Sequence, residues 1–366
     1  MRTKGRKGVM IVALALVICI LVPTFATSQV KAQLYIPVIS KGFQHQFWQA
    51  VKLGAERAAK QYNVQITFEG PPTEADIQPQ VQMLVNAMAK SPAAICLAAL
   101  DTSSVMDQLN EAIQRKIPII GFDSGVPKAP KGSIYATAAT NSYNAAGLAA
   151  DKMFDKIKDK IIAATASSPI TIVDFNQDAT SQSVTDRGKG FRDEMIKLIS
   201  TQGKHPLTDI RVQGNPAYIA SSTPTKGKAV VIDVVVPPSP RDTDMTNAAQ
   251  AILNRFQSDN IVGIFCSNEG AARGVLSATN DGSALPDQYP DLLVVGFDAG
   301  KAQKAAVKAG YFMGAITQDP VQIGFKAVEL AVFAIQKKPV KDVDTGAKFY
   351  DASTMDQPEF GPLLYD

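Results

Sequence analysis

From residue 33 onward, short apolar runs alternate with stretches of helical periodicity, and this alternation limits the fold more than any other feature of the chain. Residues 33–40 (QLYIPVIS) form the first apolar run. Residues 47–62 then place Phe47, Val51, Ala55, Ala58 and Tyr62 three or four apart, the spacing of one buried helix face. Strands at 64–68, 93–100 and 117–122 alternate with helices at 77–90 and 105–115. The order βαβαβαβ predicts a doubly wound α/β layer with parallel strands. The pattern then recurs: helix 141–158, strand 170–175, helix 188–200, strand 229–236, helix 246–256, strand 261–266 and helix 270–278. Strand 292–297, helix 301–308, strand 312–316 and helix 321–337 follow. At about 150 residues per domain, 366 residues accommodate two such lobes. Residues 214–228, rich in Ser, Thr, Pro and Gly, are expected to be a surface insertion.

The first 32 residues have a different composition. A basic opening, MRTKGRK, precedes an uncharged apolar run at 9–22 and then Pro23 with small or polar residues, the three-part plan of a secretory signal. Val30-Lys31-Ala32 offers a cleavage site and a mature start near Gln33, with Thr24-Phe25-Ala26 as a second site; an uncleaved anchor is the competing reading. Cys19 follows the bulky Ile18 where a lipid-attachment motif has a small residue, so it is assigned to the signal. Arg2, Lys4, Arg6, Lys7 and Lys31 lie here and no acid does. Without them, 32 of the 37 basic residues stand against 34 acidic ones, a net of −2. That balance argues against a nucleic-acid partner bound through phosphate neutralisation. Cys96 and Cys266 sit in separate apolar runs and are expected to be buried, unpaired thiols. Three Cys and two His leave little material for a metal site. His205, in the polar stretch QGKHPLTD, is expected at the surface.

In doubly wound sheets, ligands bind beyond the carboxyl ends of the strands. The residues there are Asp123 (IIGFDSG), Asp174 (TIVDFN), Asn268 (IFCSNEG), Asp298 (VVGFDAG) and Gln318 (GAITQDP). Singly, an Asp or Asn at such a junction is also an ordinary helix cap. Together they supply acceptors and donors suited to hydroxyl groups. The first strand leads into Lys41, His45, Phe47 and Trp48, the last being the single tryptophan. An aromatic pair beside polar groups can grip a polar ligand with an apolar face, though Phe47 also fits a core position. The chain lacks a GxGxxG after a strand, a phosphate loop, an HExxH pair and a GxSxG elbow. No cofactor and no catalytic residue are therefore expected.

These residues, in this order, resemble the periplasmic sugar-binding proteins of ABC transporters, the group that includes the ribose binder. The resemblance rests on F-W-x-x-V-x-x-G-A at 47–55, I-P-I-I-G-F-D at 117–123 and D-R-G-x-G-F at 186–191. S-N-E-G at 267–270, V-G-F-D at 295–298 and A-I-T-Q-D-P-x-Q-I-G at 315–324 complete it. It implies two α/β lobes joined by a three-crossing hinge near 138–141, 318–319 and 344–347. The N-terminal lobe is then 33–138, returning at 319–345, and the C-terminal lobe 139–318, with 346–366 packed on it. Ligand would lie in the cleft, and hinge motion would close it.

Position by position, the resemblance puts Phe47 and Trp48 on the sugar's apolar face. It puts His45, Asp123, Asn268, Asp298 and Gln318 on hydroxyls, with Arg187 and Asn141 in support. The chain departs from the ribose binder at Ser124 and Thr185, where that family has arginines, and at Ala99, where it has Asn; Ser124 is kept among the expected ligand-binding residues. Residues 69–73 (EGPPT) with 80–82 (QVQ) are instead similar to binders of rhamnose and autoinducer-2, which adds Lys41 to the site. The implied role is an exported, monomeric solute-binding protein that passes a sugar or polyol to the membrane permease of an ABC importer. Presentation of a ligand to a chemoreceptor or sensor kinase is the alternative. A repressor with the same lobes is excluded by the N-terminal signal and the mature charge.

Overall fold

The computed structural model describes residues 1–3, 5, 33–43 and 45–365; the expected signal and Cys19 lie outside them. Among the described residues no helix is long and apolar enough to cross a membrane. In chain order, β1 (Tyr35–Ile39), α1 (Gln46–Tyr62), β2 (Gln65–Glu69), α2 (Ile77–Ala89), β3 (Ile95–Leu97), α3 (Met106–Gln114), β4 (Ile119–Phe122) and β5 (Ile134–Ala139) open the first lobe. The second holds α4 (Ser142–Ala163), β6 (Ile170–Phe175), α5 (Gln182–Thr201), β7 (Ile210–Gly214), β8 (Val230–Val235) and α6 (Asp242–Asn254). It continues with β9 (Ile261–Cys266), α7 (Glu269–Ala278), α8 (Leu285–Gln288), β10 (Leu293–Phe297), α9 (Lys301–Lys308) and β11 (Gly314–Gln318). Then come α10 (Pro320–Ile335), β12 (Val343–Asp344) and β13 (Ala347–Tyr350).

The first sheet runs β12-β5-β4-β3-β1-β2, all parallel. The second runs β13-β11-β10-β9-β6-β8-β7 and is parallel except for β13. Each sheet is covered on both faces, as parallel sheets require. In the first lobe, Val51, Ala55 and Ala58 of α1 and Ile323, Ala327 and Ala331 of α10 cover one face, and Leu84, Met88 and Leu109 of α2 and α3 the other. In the second, α4 and α5 lie opposite α6, α7 and α9. These are the two doubly wound layers that the alternation predicts. Helices α1 and α10 approach so closely that a Cβ at Gly54 would stand 1.9 Å from the Val321 carbonyl oxygen. One at Gly324 would stand 1.9 Å from that of Val51.

The chain passes from one sheet to the other between β5 and α4, between β11 and α10, and between β12 and β13. Strand β12 pairs with β5, and β13 with β11, so the passages run side by side.

Three expectations need correction. The 214–228 stretch is not merely superficial: Tyr218 is fully buried, its carbonyl accepts from Arg192 Nη1, and its hydroxyl donates to the Asp178 carbonyl. His205 is buried rather than exposed, with Nε2 2.8 Å from the Ile161 carbonyl and Nδ1 3.3 Å from Asp209. Helix α5 begins at Gln182, six residues before the periodicity suggested. Cys96 and Cys266 are buried free thiols, as expected.

Candidate functional site

The carboxyl ends of the two sheets face one another across a narrow space of about 20 Å³, room for about one water molecule. Lys41, His45, Phe47, Trp48, Glu74, Asp123, Arg187, Asn268, Asp298 and Gln318 line it. All but Glu74, which lies in the loop between β2 and α2, come from a strand end or from the start of the helix that follows it. Asp123 follows β4 and Asp298 follows β10, both after Gly-Phe, and both adopt left-handed backbone, with φ of 54° and 77°. Asp tolerates that region better than most residues, but it is a sparsely populated conformation that must be held by its surroundings. The hold is alike in the two lobes: the Asp123 amide donates to the Ala138 carbonyl at 3.0 Å, the Asp298 amide to that of Ile316 at 2.6 Å. The turn thus swings each carboxylate off its strand and into the cavity wall.

Arg187 of α5 reaches between them. Its guanidinium lies 3.6 Å from Asp298 Oδ2 and 3.9 Å from Asp123 Oδ1, donates to the Ser267 carbonyl at 3.1 Å, and stacks 3.9 Å above the Phe297 ring. Gln318 Nε2 donates to Asp298 Oδ1 at 2.7 Å, and the Glu269 amide to Oδ2 at 3.1 Å. Asn268 caps α7 by accepting from the Ala271 amide at 2.9 Å.

The opposite wall centres on Glu74, which the sequence analysis missed. Trp48 Nε1 donates to Oε1 at 2.8 Å and Gln177 Nε2 to Oε2 at 2.8 Å, while Lys41 and His45 stand 3.8 Å away. Burial alone would raise the Glu74 carboxyl; Lys41, His45 and the two donors outweigh it and hold it below its ordinary value. Burial likewise opposes the Lys41 ammonium, but Asp123 at 3.3 Å and Glu74 raise it, so both groups stay charged at neutral pH. Asp123 is the exception: burial pushes its carboxyl up, and Lys41 and Arg187 only partly offset this. Glu74 lies five residues beyond β2, past the strand-end window. Gln177 was within reach of that window, since the polar run Asn176-Gln177-Asp178 directly follows β6.

The other expected residues are placed differently. Ser124 does not line the cavity; its Oγ takes the Ser183 amide of the other lobe at 3.3 Å. Asn141 caps α4, accepting from the Asn144 amide at 3.1 Å. Asp174 belongs to the buried interior of the second lobe, bound by Asn176 Nδ2 at 2.7 Å. Trp48 is 1 % exposed and packs edge-on to Phe47 and Phe122, so it serves core and cavity wall together.

The lobes are shut. Lys41 Nζ donates to Ser183 Oγ at 3.1 Å, Gln177 to Glu74, and the Lys301 amide to Gln46 Oε1 at 2.7 Å, each bond crossing from one lobe to the other. Two cations face three carboxylates and a histidine, with two amides and two aromatic rings among them. Such a wall suits a small, nearly uncharged molecule with many hydroxyls.

A periplasmic binding protein domain model matches residues 36–339. The D-allose-binding periplasmic protein of Escherichia coli is 23% identical over 317 residues, spanning 85% of this chain and 88% of that one. The ribose import binding protein of Salmonella typhimurium is 23% identical over 299 residues, spanning 81% and 83%. Among solved structures, an ABC transporter protein of the LacI regulator family from Brachyspira murdochii is 37% identical, with a TM-score of 0.75, over 92% of this chain and 99% of that one. An ABC transporter solute-binding protein from Agrobacterium vitis with bound D-fucose is 26% identical, with a TM-score of 0.72, over 90% and 100%. The fold, the facing strand ends and a family match over most of its length make this chain a member of the periplasmic binding protein family, of the two-lobed, ribose-binder-like type I.

Proposed function

We propose that the protein captures a single sugar or sugar-like polyol between its lobes and delivers it to the permease of an ABC importer, acting as an exported, monomeric binder rather than an enzyme. The carrying observation is the convergence, at the narrow space between the lobes, of carboxylates, amides and a guanidinium beside Phe47 and Trp48. The aromatic pair would cover the apolar face of a ring, and Asp123, Asp298, Asn268, Gln318, His45, Lys41 and Glu74 would take its hydroxyls. Arg187, whose Nε is buried without a protein partner among the described residues, would give that donor to the ligand. Each buried hydroxyl left unpaired costs about 1–3 kcal/mol, which is how such a wall selects among sugars. The passages at 139–142, 318–320 and 344–347 would be the hinge, with residues 319–345 belonging to the first lobe. The names of relatives that bind D-allose and D-fucose, and that are periplasmic or transporter components, support the reading.

A thermal-shift screen of D-allose, D-ribose, D-fucose, D-arabinose, D-tagatose and linear polyols tests it. A ligand that binds only the native state raises the melting temperature by mass action. A saturable rise with one or a few of these, lost in Asp298→Ala, is expected; no rise with any sugar or polyol at millimolar concentration would overturn the reading.

A further inference from the structure

The segment after β13 approaches the site from behind at three points. The Tyr365 hydroxyl accepts the Ala299 amide at 3.1 Å, and its ring meets Phe47 edge-on at 6.2 Å. The Leu363 carbonyl accepts from Thr317 Oγ1 at 2.8 Å, next to the cavity residue Gln318. Tyr365 packs against the cores of both lobes. Tyr350, the last residue of β13 and fully buried, donates its hydroxyl to the Asp298 carbonyl at 3.1 Å. The peptide between Asp298 and Ala299 is therefore held at both its polar ends by tyrosine hydroxyls, one on its oxygen and one on its N–H. Gln303 Nε2 adds a second donor to the oxygen at 2.6 Å. This is the peptide that follows the left-handed Asp298, where the backbone is most in need of restraint.

We propose that Tyr350 and Tyr365 are positioning residues for ligand binding: they clamp the Asp298–Ala299 peptide, fixing the Asp298 carboxylate in the cavity wall, and Tyr365 also seats Phe47. Neither lines the cavity. Tyr365 draws its contacts from both lobes, so it favours the shut arrangement in which Phe47 and Asp298 face one ligand. Burial first, with the nearby Asp298 and Glu269 carboxylates, raises its phenol well above the ordinary range, so it remains a neutral acceptor at working pH. The inference deepens the sugar-capture reading and rests on it.

The test compares Tyr365→Phe, Tyr365→Ala, Tyr350→Phe and the double Phe variant with the parent. Each is titrated with whichever sugar of the panel above stabilises the parent, and ligand-free melting and hydrogen exchange are followed alongside. Tyr365→Phe removes one hydrogen bond and keeps the ring; affinity is expected to fall roughly three- to tenfold, mostly through faster dissociation, with ligand-free melting little changed. Tyr365→Ala also unseats Phe47 and should weaken binding further. Tyr350→Phe should act less, because Gln303 still holds the carbonyl, and the double variant should show coupling between the two. In the ligand-free protein, the Ala299 amide should exchange faster in Tyr365→Phe. Unchanged affinity in Tyr365→Phe and Tyr365→Ala would overturn the proposal, as would a fall in melting temperature with affinity intact. If the parent binds no sugar, the capture reading fails by itself. The clamp is then judged by exchange: acceleration at Ala299 supports it, and parent-like exchange overturns it.

Discussion

Trp48 shows how one side chain can belong to two structures. The resemblance puts the lone tryptophan against ligand; it is 1 % exposed within the first-lobe core, and it also lines the cavity. Trp48→Ala is accordingly expected to lower ligand-free stability by about 3–5 kcal/mol, as for other large core aromatics. It should also weaken sugar binding, because Glu74 loses its indole donor. Trp48→Phe should spare much of the stability while still weakening binding. Melting curves and titrations of both variants check this; a Phe variant with parental affinity would show that the indole N–H is idle. Asp174 gives a second residue-scale prediction. Burial pushes its carboxyl up to about 8, against the pull of the Asn176 amide and the Arg192 charge. From about pH 4 to 8 the folded state then keeps a proton that the unfolded chain, with an ordinary carboxyl, has released. Its contribution to stability therefore falls as pH rises through that window and levels off above it. Melting temperatures from pH 5 to 8.5 should decline more steeply for the parent than for Asp174→Asn; equal slopes would assign the decline to other groups.

Among the elements, α9 (Lys301–Lys308) is preceded by Gly300, which has no side chain to cap it. Gln46, at the start of α1 in the other lobe, takes the Lys301 amide, and its own amide donates to Glu269 Oε1 at 3.4 Å. The cap exists only while the lobes are shut. Gln46→Ala is expected to weaken ligand binding roughly two- to tenfold, by lost hydrogen bonding in the closed form, with ligand-free melting unchanged. Parental affinity would mean that α9 is equally well capped by water. The elements legible in the sequence were those with strong local patterns. β1, β4, β9 and β10 are continuous apolar runs, β8 is an apolar run broken by a single Asp and β6 one broken by Thr and Asp, while the helices of both lobes carry regular buried faces. β5 (IYATAA), β7 (IRVQG) and the very short β12 and β13 were missed. They are small-residue, half-polar or edge strands, specified by the strand beside them rather than by their own residues. The start of α5 was missed because its inward side there is polar: Ser183 and Arg187 face the cleft, and amphipathic reasoning takes a polar face for solvent. The same blindness hid Glu74. A buried carboxylate satisfied by an indole, an amide, a lysine and a histidine has no local signature, because its partners come from residues 41, 45, 48 and 177.

At the scale of the whole molecule, the lobes meet through hydrogen bonds beside the cavity, and among the described residues three passages of chain connect them. Much of what holds them shut is polar and replaceable by water. The shut form should therefore yield to an open one when no ligand bridges the walls. Small-angle scattering is expected to give a smaller radius of gyration with a saturating sugar than without; superimposable profiles under demonstrated saturation would count against hinge closure. The same connections carry a consequence for assembly. The first lobe's core is completed by Ile323, Ala327, Val328, Leu330, Ala331 and Val332 of α10, which arrive nearly two hundred residues after β5. A ribosome that has made the opening five strands has made a sheet with one face only half covered, by α1, and must finish almost all of the second lobe before the second covering helix exists. The chain thus has a clock written into its topology: the lobe begun first is completed only after nearly all of the second has been made, and the nascent protein stays open and pliable until its synthesis is nearly done.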